Sequence, residues 1–128
     1  MNENLQELIG KGKELTDIAY QKSSEMIERG KINVKISETR LQLKRAYAAL
    51  GKCVYEAIKN GSVVPDKQMK IFESDIDSAA YRIKLLMQEL SELKGTQVCP
   101  KCGTMNGDKA KYCNECGAPL SNHENQEE

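Results

Sequence analysis

Between Pro65 and Lys94 the chain reads PDKQMKIFESDIDSAAYRIKLLMQELSELK, and this stretch carries the clearest periodicity in the sequence. Met69, Ile76, Ile83 and Leu90 fall seven apart. Phe72, Ala79, Leu86 and Leu93 fill a second position of the same heptad. All eight are apolar, which is the pattern of a helix with a coiled-coil seam. Pro65-Asp66 suits the first helical turn, so the spacing predicts a helix over 65–94. Ala80 and Met87 widen the seam enough to touch another helix or a second chain. A homo-oligomer through helix 65–94 is therefore one expectation, and an intramolecular hairpin is the other.

Working toward the N-terminus, a second helix is expected over 32–59. Ile36, Leu43, Leu50 and Ala57 recur every seventh residue, and Ala46, Tyr47, Cys53 and Val54 fill the same stripe. Asn60-Gly61 is a stop signal. The short link from Gly61 to Val64 favours antiparallel packing of the two helices. Cys53 lies inside the apolar stripe and reads as a small buried hydrophobe.

A further helix is expected over 4–29, with Gly30-Lys31 as a break or a bend. Asn4 and Glu7 have the form of a capping pair. Leu5, Leu8, Ile9, Leu15, Ile18, Ala19, Met26 and Ile27 recur at roughly helical spacing. Three uses suit this stretch: packing on the other helices, a partner-dependent helix, or an amphipathic helix lying on a membrane. The acids Glu3, Glu7, Glu14, Asp17, Glu25 and Glu28 outnumber Lys11, Lys13, Lys22 and Arg29, which counts against anionic lipid.

Toward the C-terminus, Gly95-Thr96-Gln97 reads as a hinge. Beyond it, Cys99-Pro100-Lys101-Cys102-Gly103 is answered by Cys113-Asn114-Glu115-Cys116-Gly117. Two Cys-x-x-Cys-Gly turns can give four thiolates to one tetrahedral ion. Zn²⁺ is the usual occupant, with Zn–S near ~2.3 Å. Gly103 and Gly117 can adopt the positive φ that turns backbone N–H groups toward the sulfurs. No thioredoxin-like pattern surrounds either pair, which disfavours a redox dithiol. A rubredoxin-like iron site would want more aromatic residues than Tyr112. Four Cys with no local His, Asp or Glu in ligand register leave no open position, so the metal is expected to be structural.

Residues 98–120 are expected to form a small β ribbon with a hairpin turn at Asn106-Gly107. Its core would be only Val98, Met105, Ala110, Tyr112, Ala118 and Leu120. That is too little to fold unaided, so metal binding would supply on the order of 10 kcal/mol.

Cys-Pro-x-Cys-Gly followed by Ala-Lys-Tyr-Cys-x-x-Cys-Gly-Ala-Pro-Leu resembles the zinc-ribbon domain carried at one end of many small bacterial proteins. It is also similar to one half of a double zinc ribbon. The resemblance covers about Val98 to Leu120 and implies that Cys99, Cys102, Cys113 and Cys116 are the ligands. The layout, helices followed by one C-terminal ribbon, resembles uncharacterised bacterial zinc-ribbon proteins. What it implies is binding or scaffolding rather than a known activity.

Composition bounds the rest. Of 128 residues, 30% are charged and 5% aromatic, which suits solvated helices better than a thick core. Lys+Arg and Asp+Glu number 19 each, so total charge selects no partner. Locally, residues 31–60 carry Lys31, Lys35, Arg40, Lys44, Arg45, Lys52 and Lys59 against Glu38 and Glu56, seven minus two or +5. That is either a solvated face balanced by acids elsewhere or a site for an acidic partner or nucleic acid. The ribbon is poorly equipped for nucleic acid: Lys101, Lys109 and Lys111 minus Asp108 and Glu115 leave +1. Zn²⁺ with four thiolates brings that to −1.

His123 is the sole histidine, so no Cys/His or Ser/His/Asp catalytic set can form, and no enzyme is expected. Residues 121–128 are polar and acidic, and disorder is expected. No signal peptide and no bilayer-length apolar run are read, so a cytoplasmic location is expected. The fold expected is mainly α: an antiparallel hairpin or three-helix bundle over 1–95, with a zinc ribbon over 98–120. The function expected is non-enzymatic protein–protein interaction, with nucleic-acid binding through 31–60 or membrane-surface association through 4–29 as alternatives.

Overall fold

The structure, a computed structural model, describes residues 2–120. The tail 121–128 and His123 lie outside the described residues. Helix α1 runs Asn2–Asn60 and helix α2 runs Asp66–Lys94. Strands β1 (Thr96–Val98) and β2 (Met105–Gly107) pair antiparallel in the order β1-β2. The fold is thus mostly helical, two packed helices followed by a small two-stranded sheet, and not a three-helix bundle.

The expected helices 4–29 and 32–59 are one element. An isolated Gly inside a helix costs about 1 kcal/mol relative to Ala. Gly30 therefore weakens α1 without ending it. Asn4 and Glu7 are both interior to the helix rather than a cap, and Glu7 instead pairs with Lys11 at 3.5 Å, one turn on. The chain divides into two compact units, residues 1–31 and 32–128. In the first unit every described side chain from Asn2 to Glu28 is exposed.

In the second unit, α1 ends as its sequence dictates. Gly61 takes φ +66°. The N–H of Ser62 donates to Ala57 O at 2.9 Å and that of Gly61 to Ile58 O at 3.3 Å, which is a Schellman stop. Pro65 precedes α2 at φ −58° and its carbonyl accepts from the N–H of Met69 at 3.0 Å.

The best-buried apolar cluster is Ile32 and Ile36 of α1 with Leu86 and Leu90 of α2, joined by Met87, Leu93 and Met105. Contact between the 32–36 region and the 86–90 region, across a link at 61–65, makes the helices antiparallel. Buried or half-buried positions on α1 recur at 32, 36, 39, 43, 46, 50, 53 and 57, the alternating three-and-four spacing of a heptad. Cys53 and Val54 are half-buried as their stripe implies, but Tyr47 is 54% exposed. On α2, seven of the eight seam residues are buried or half-buried, and Met69 is exposed.

Two buried positions escape a hydrophobicity reading. Thr39 occupies a seam position at 3% exposure, and its hydroxyl donates to Lys35 O at 2.7 Å. That bond to the preceding turn satisfies the polar atom and lets Thr stand among apolar neighbours. Ser91 is equally buried, and its hydroxyl lies 2.9 Å from Thr96 Oγ1.

The expected hinge at Gly95–Gln97 is not one. Gly95 caps α2 with φ +65°, its N–H directed at the carbonyls of Ser91 and Glu92. Thr96 and Gln97 enter β1 directly. The Thr96 hydroxyl also donates to Ser91 O at 3.3 Å. Met105 of β2 joins the helical cluster, and Met87 Cε lies 4.0 Å from where a Cβ on Gly103 would stand. Met87 therefore packs toward the ribbon, while Ala80 is exposed. Among the described residues, no helix is long and apolar enough to cross a membrane.

Candidate metal centre

The two Cys-x-x-Cys turns are built alike. In the first, the N–H of Gly103 donates to Cys99 O at 2.9 Å, and the N–H of Cys99 donates to Thr104 O at 2.9 Å. In the second, the N–H of Gly117 donates to Cys113 O at 3.0 Å, and the N–H of Cys113 to Ala118 O at 2.9 Å. Gly103 and Gly117 adopt φ of +77° and +72°. A β-carbon pays about 1–2 kcal/mol in this region, which is why glycine follows each second cysteine.

These turns bring the Sγ atoms of Cys99, Cys102, Cys113 and Cys116 within 4.8 Å of one another. Two approaches cross between the turns: Cys99 to Cys116 and Cys102 to Cys113, each 3.5 Å. A tetrahedron with Zn–S near ~2.3 Å has edges of roughly 3.8 Å, so the set fits one zinc ion with small adjustments. All four are free thiols, as is Cys53, which lies apart from the site. Cys99 and Cys113 are buried, and Cys102 and Cys116 are exposed.

The backbone prepares part of the set for metal. The N–H of Cys102, more than that of Lys101, holds the Cys99 thiol below its ordinary value against the opposing effect of burial. The N–H groups of Cys116 and Glu115, with the Asn106 side chain, hold Cys113 at about 6, again against burial. Glu115 N lies 3.4 Å from Cys113 Sγ. Cys116 goes the other way. The N–H of Ala118 favours its thiolate, but burial and the three neighbouring cysteines outweigh it and push it up to about 11. Four thiolates so close repel, and a dication removes that repulsion.

Two side chains that the sequence reading left out of the site brace it. Gln97 is 9% exposed, and its Nε2 donates to Ala110 O at 2.8 Å, Gly107 O at 2.9 Å and Asp108 O at 3.3 Å. It fastens the turn that leads to the second cysteine pair. Asn106 is 2% exposed. Its Nδ2 donates to Thr104 O at 3.1 Å and its Oδ1 accepts from the N–H of Asn114 at 2.9 Å, tying one cysteine turn to the other.

Asn106-Gly107 is therefore not the hairpin turn. The register Thr96↔Gly107, Gln97↔Asn106, Val98↔Met105 makes the first cysteine turn the hairpin loop. The tight turn comes afterward, where the N–H of Ala110 donates to Gly107 O at 3.1 Å. The chain then returns through a bridge between Tyr112 and Pro119. Cys99, Cys113 and Leu120 form the small core, with Ala110 and Ala118 against it. Tyr112, expected in that core, is 64% exposed.

The basic residues of 32–60 are exposed. A cleft between α1 and α2 is lined by Arg45, Arg82 and Asp75 among others, so its charge is partly cancelled. No curated protein and no solved structure matches the chain. Residues 98–120 match the zinc-ribbon domain family. With its four cysteines gathered at metal-binding distance, this part of the chain is a zinc-ribbon domain that could hold one zinc ion.

Proposed function

We propose that this protein is a non-enzymatic interaction module, in which a structural zinc ion rigidifies the ribbon and the helical hairpin carries it. The observation that supports this most is the closed donor set. Four sulfurs surround one point and their backbone turns are complete, so no coordination position is left for water or substrate. The ribbon is also fixed on the end of α2 through Ser91, Thr96 and Met105, which favours a presented surface over a tethered one. The aromatic that this surface offers is Tyr112, beside Lys111 and Lys109. A half-apolar ring held on a rigid frame is a favourable anchor for a protein partner.

The test uses the full chain in the cells that make it. Crosslinked partners of the wild type are compared with those of Cys113→Ser and Tyr112→Ala. The reading expects Tyr112→Ala to keep one zinc and lose the partners that Cys113→Ser also loses. Partners kept by both variants would move the function onto the helices. Cobalt substitution provides the second arm. A tetrahedral four-sulfur spectrum insensitive to added azide is expected, whereas a shift would reveal an open, catalytic position.

A further inference from the structure

The first thirty residues of α1 carry apolar side chains that nothing in residues 2–28 covers. Leu5, Leu8, Ile9, Leu15, Met26 and Ile27 are all exposed, and so are Ile18 and Tyr20, each between 48 and 76%. At about 100° per residue, the first six and Tyr20 fall on one arc roughly 140° wide, with Gly12, Thr16, Ala19, Ser23 and Gly30 among them. Ile18 lies about 60° outside it, beyond Lys11 and Lys22 and next to Glu7 and Glu25.

The charges around this arc are sorted. Lys13 and Lys31 lie along one border, and Lys11 and Lys22 along the other. These are all the lysines of the stretch. Glu3, Glu7, Glu14, Asp17, Glu25 and Glu28 lie on the opposite side.

The arc is not built on the seven-residue register of the seam. Carried N-terminally, that register would seat Lys11, Lys22, Glu25 and Arg29 among Leu8, Leu15 and Ile18. Part of the arc repeats at eleven instead: Leu8 and Ala19, Ile9 and Tyr20, Leu15 and Met26. An eleven-residue spacing is close to the natural helical period, so the face winds less than a heptad does. It suits a flat surface.

We infer that residues 2–31 lie in the interface of a zwitterionic lipid bilayer, apolar arc downward. Lysines at the borders can run their methylenes along the acyl region and set their ammonium groups at the phosphates. The acids opposite then face water. A second copy of this helix fits less well, because packing arc on arc would bring lysine borders against lysine borders. The acids also set the lipid class. Six of them in this stretch gain nothing from an anionic headgroup, so the driving term is apolar burial.

The test is flotation of the zinc-loaded full-length protein with small phosphatidylcholine vesicles. The wild type is expected to float. Leu15→Glu and Met26→Glu should each weaken binding roughly tenfold or more. Lys13→Glu combined with Lys22→Glu should weaken it several-fold, while Glu14→Gln should leave it unchanged. Cys113→Ser should also float, since the arc is independent of the ribbon. Three results overturn the inference: a wild type that stays at the bottom, flotation indifferent to Leu15→Glu, or vesicle-free self-association that Leu15→Glu abolishes while nothing floats.

Discussion

Replacing Gln97 by Met removes a hydrogen-bond donor from the ribbon while keeping the side chain's length and approximate volume. Gln97 Nε2 makes two short bonds, to Ala110 O and Gly107 O, and a third at 3.3 Å to Asp108 O. An amide nitrogen has two hydrogens, so the third contact shares one of them and is not counted. Each short bond contributes about 1 kcal/mol net, giving about 2 kcal/mol for the pair. The ribbon's folding is coupled to zinc, so this loss appears in metal affinity. At about 1.4 kcal/mol per decade, the zinc dissociation constant should rise roughly thirty-fold. Gln97→Glu should be at least as damaging, because it turns a carboxylate oxygen toward carbonyl oxygens. The assay is competition for zinc with a chromophoric chelator, with far-ultraviolet circular dichroism to verify that α1 and α2 remain intact. A rise below about threefold in Gln97→Met would refute the view that this amide holds the second cysteine turn in place.

Acid should release the metal in a defined direction. Cys113 is held at about 6 against an ordinary 9.0, so its thiolate contributes stability that is present above the higher value and lost as pH falls through the lower one. Protons compete with zinc for all four thiolates, so zinc retention followed with a colorimetric chelator should fall as the solution is acidified from neutral pH, and retention indifferent to acid would contradict it. Gly117→Ala places a β-carbon at φ +72° with nothing within 4 Å. Strain alone should then weaken zinc binding about five- to thirtyfold, and Gly117→Asn should weaken it less because Asn tolerates this conformation. Chelating the zinc should uncover Met87 and the Leu86–Leu90 end of α2, where Met105 packs. Amide hydrogen exchange there and at Ile32–Ile36 should quicken, while the half-buried stretch around Leu50 and Cys53 should not change.

The seven-residue recurrence made the hairpin legible, because burial on two facing helices leaves a period that single residues cannot hide. Asn60-Gly61 and Pro65 were legible for the same local reason: their chemistry fixes a stop and a start. The cysteine turns were legible as a metal site because spacing and glycine together define the loop. The errors have a common source in tertiary context. Asn106-Gly107 has the composition of a turn, yet the amide of Asn106 is worth more as a buried tie between the two cysteine turns than at a loop tip. Gln97 and Thr96 look like a polar linker, but the end of α2 provides Ser91, and the turn at Gly107–Ala110 provides carbonyls in need of a donor. Tyr112 looks like core in a segment with few apolar residues. The ribbon does not need it, since Met105 packs into the helical cluster instead of into a core of the ribbon's own. Gly30 suggested a break because glycine is a poor helix former, but one such residue cannot outweigh the helix-forming residues on either side.

The same helix, α1, carries two periods, and the difference assigns its parts to different surroundings. From Ile32 onward the buried positions repeat at seven, which a straight helix follows only by winding about a partner; α2 is that partner, and the burial at 32, 36, 39 and 43 records it. Before residue 31 apolar pairs are spaced at eleven, at 8 and 19, 9 and 20, and 15 and 26, and their side chains are exposed. A sequence shaped only for solubility would not spend seven large apolar residues on that arc, nor sort four lysines to its borders and six acids away from it. A sequence shaped to extend the hairpin would not interrupt Leu8, Leu15 and Ile18 on the seam with Lys11, Lys22 and Glu25. The change of spacing coincides with the boundary between the two compact units. Nothing in residues 2–28 covers the arc, and flotation of the wild type against Leu15→Glu decides whether a bilayer does.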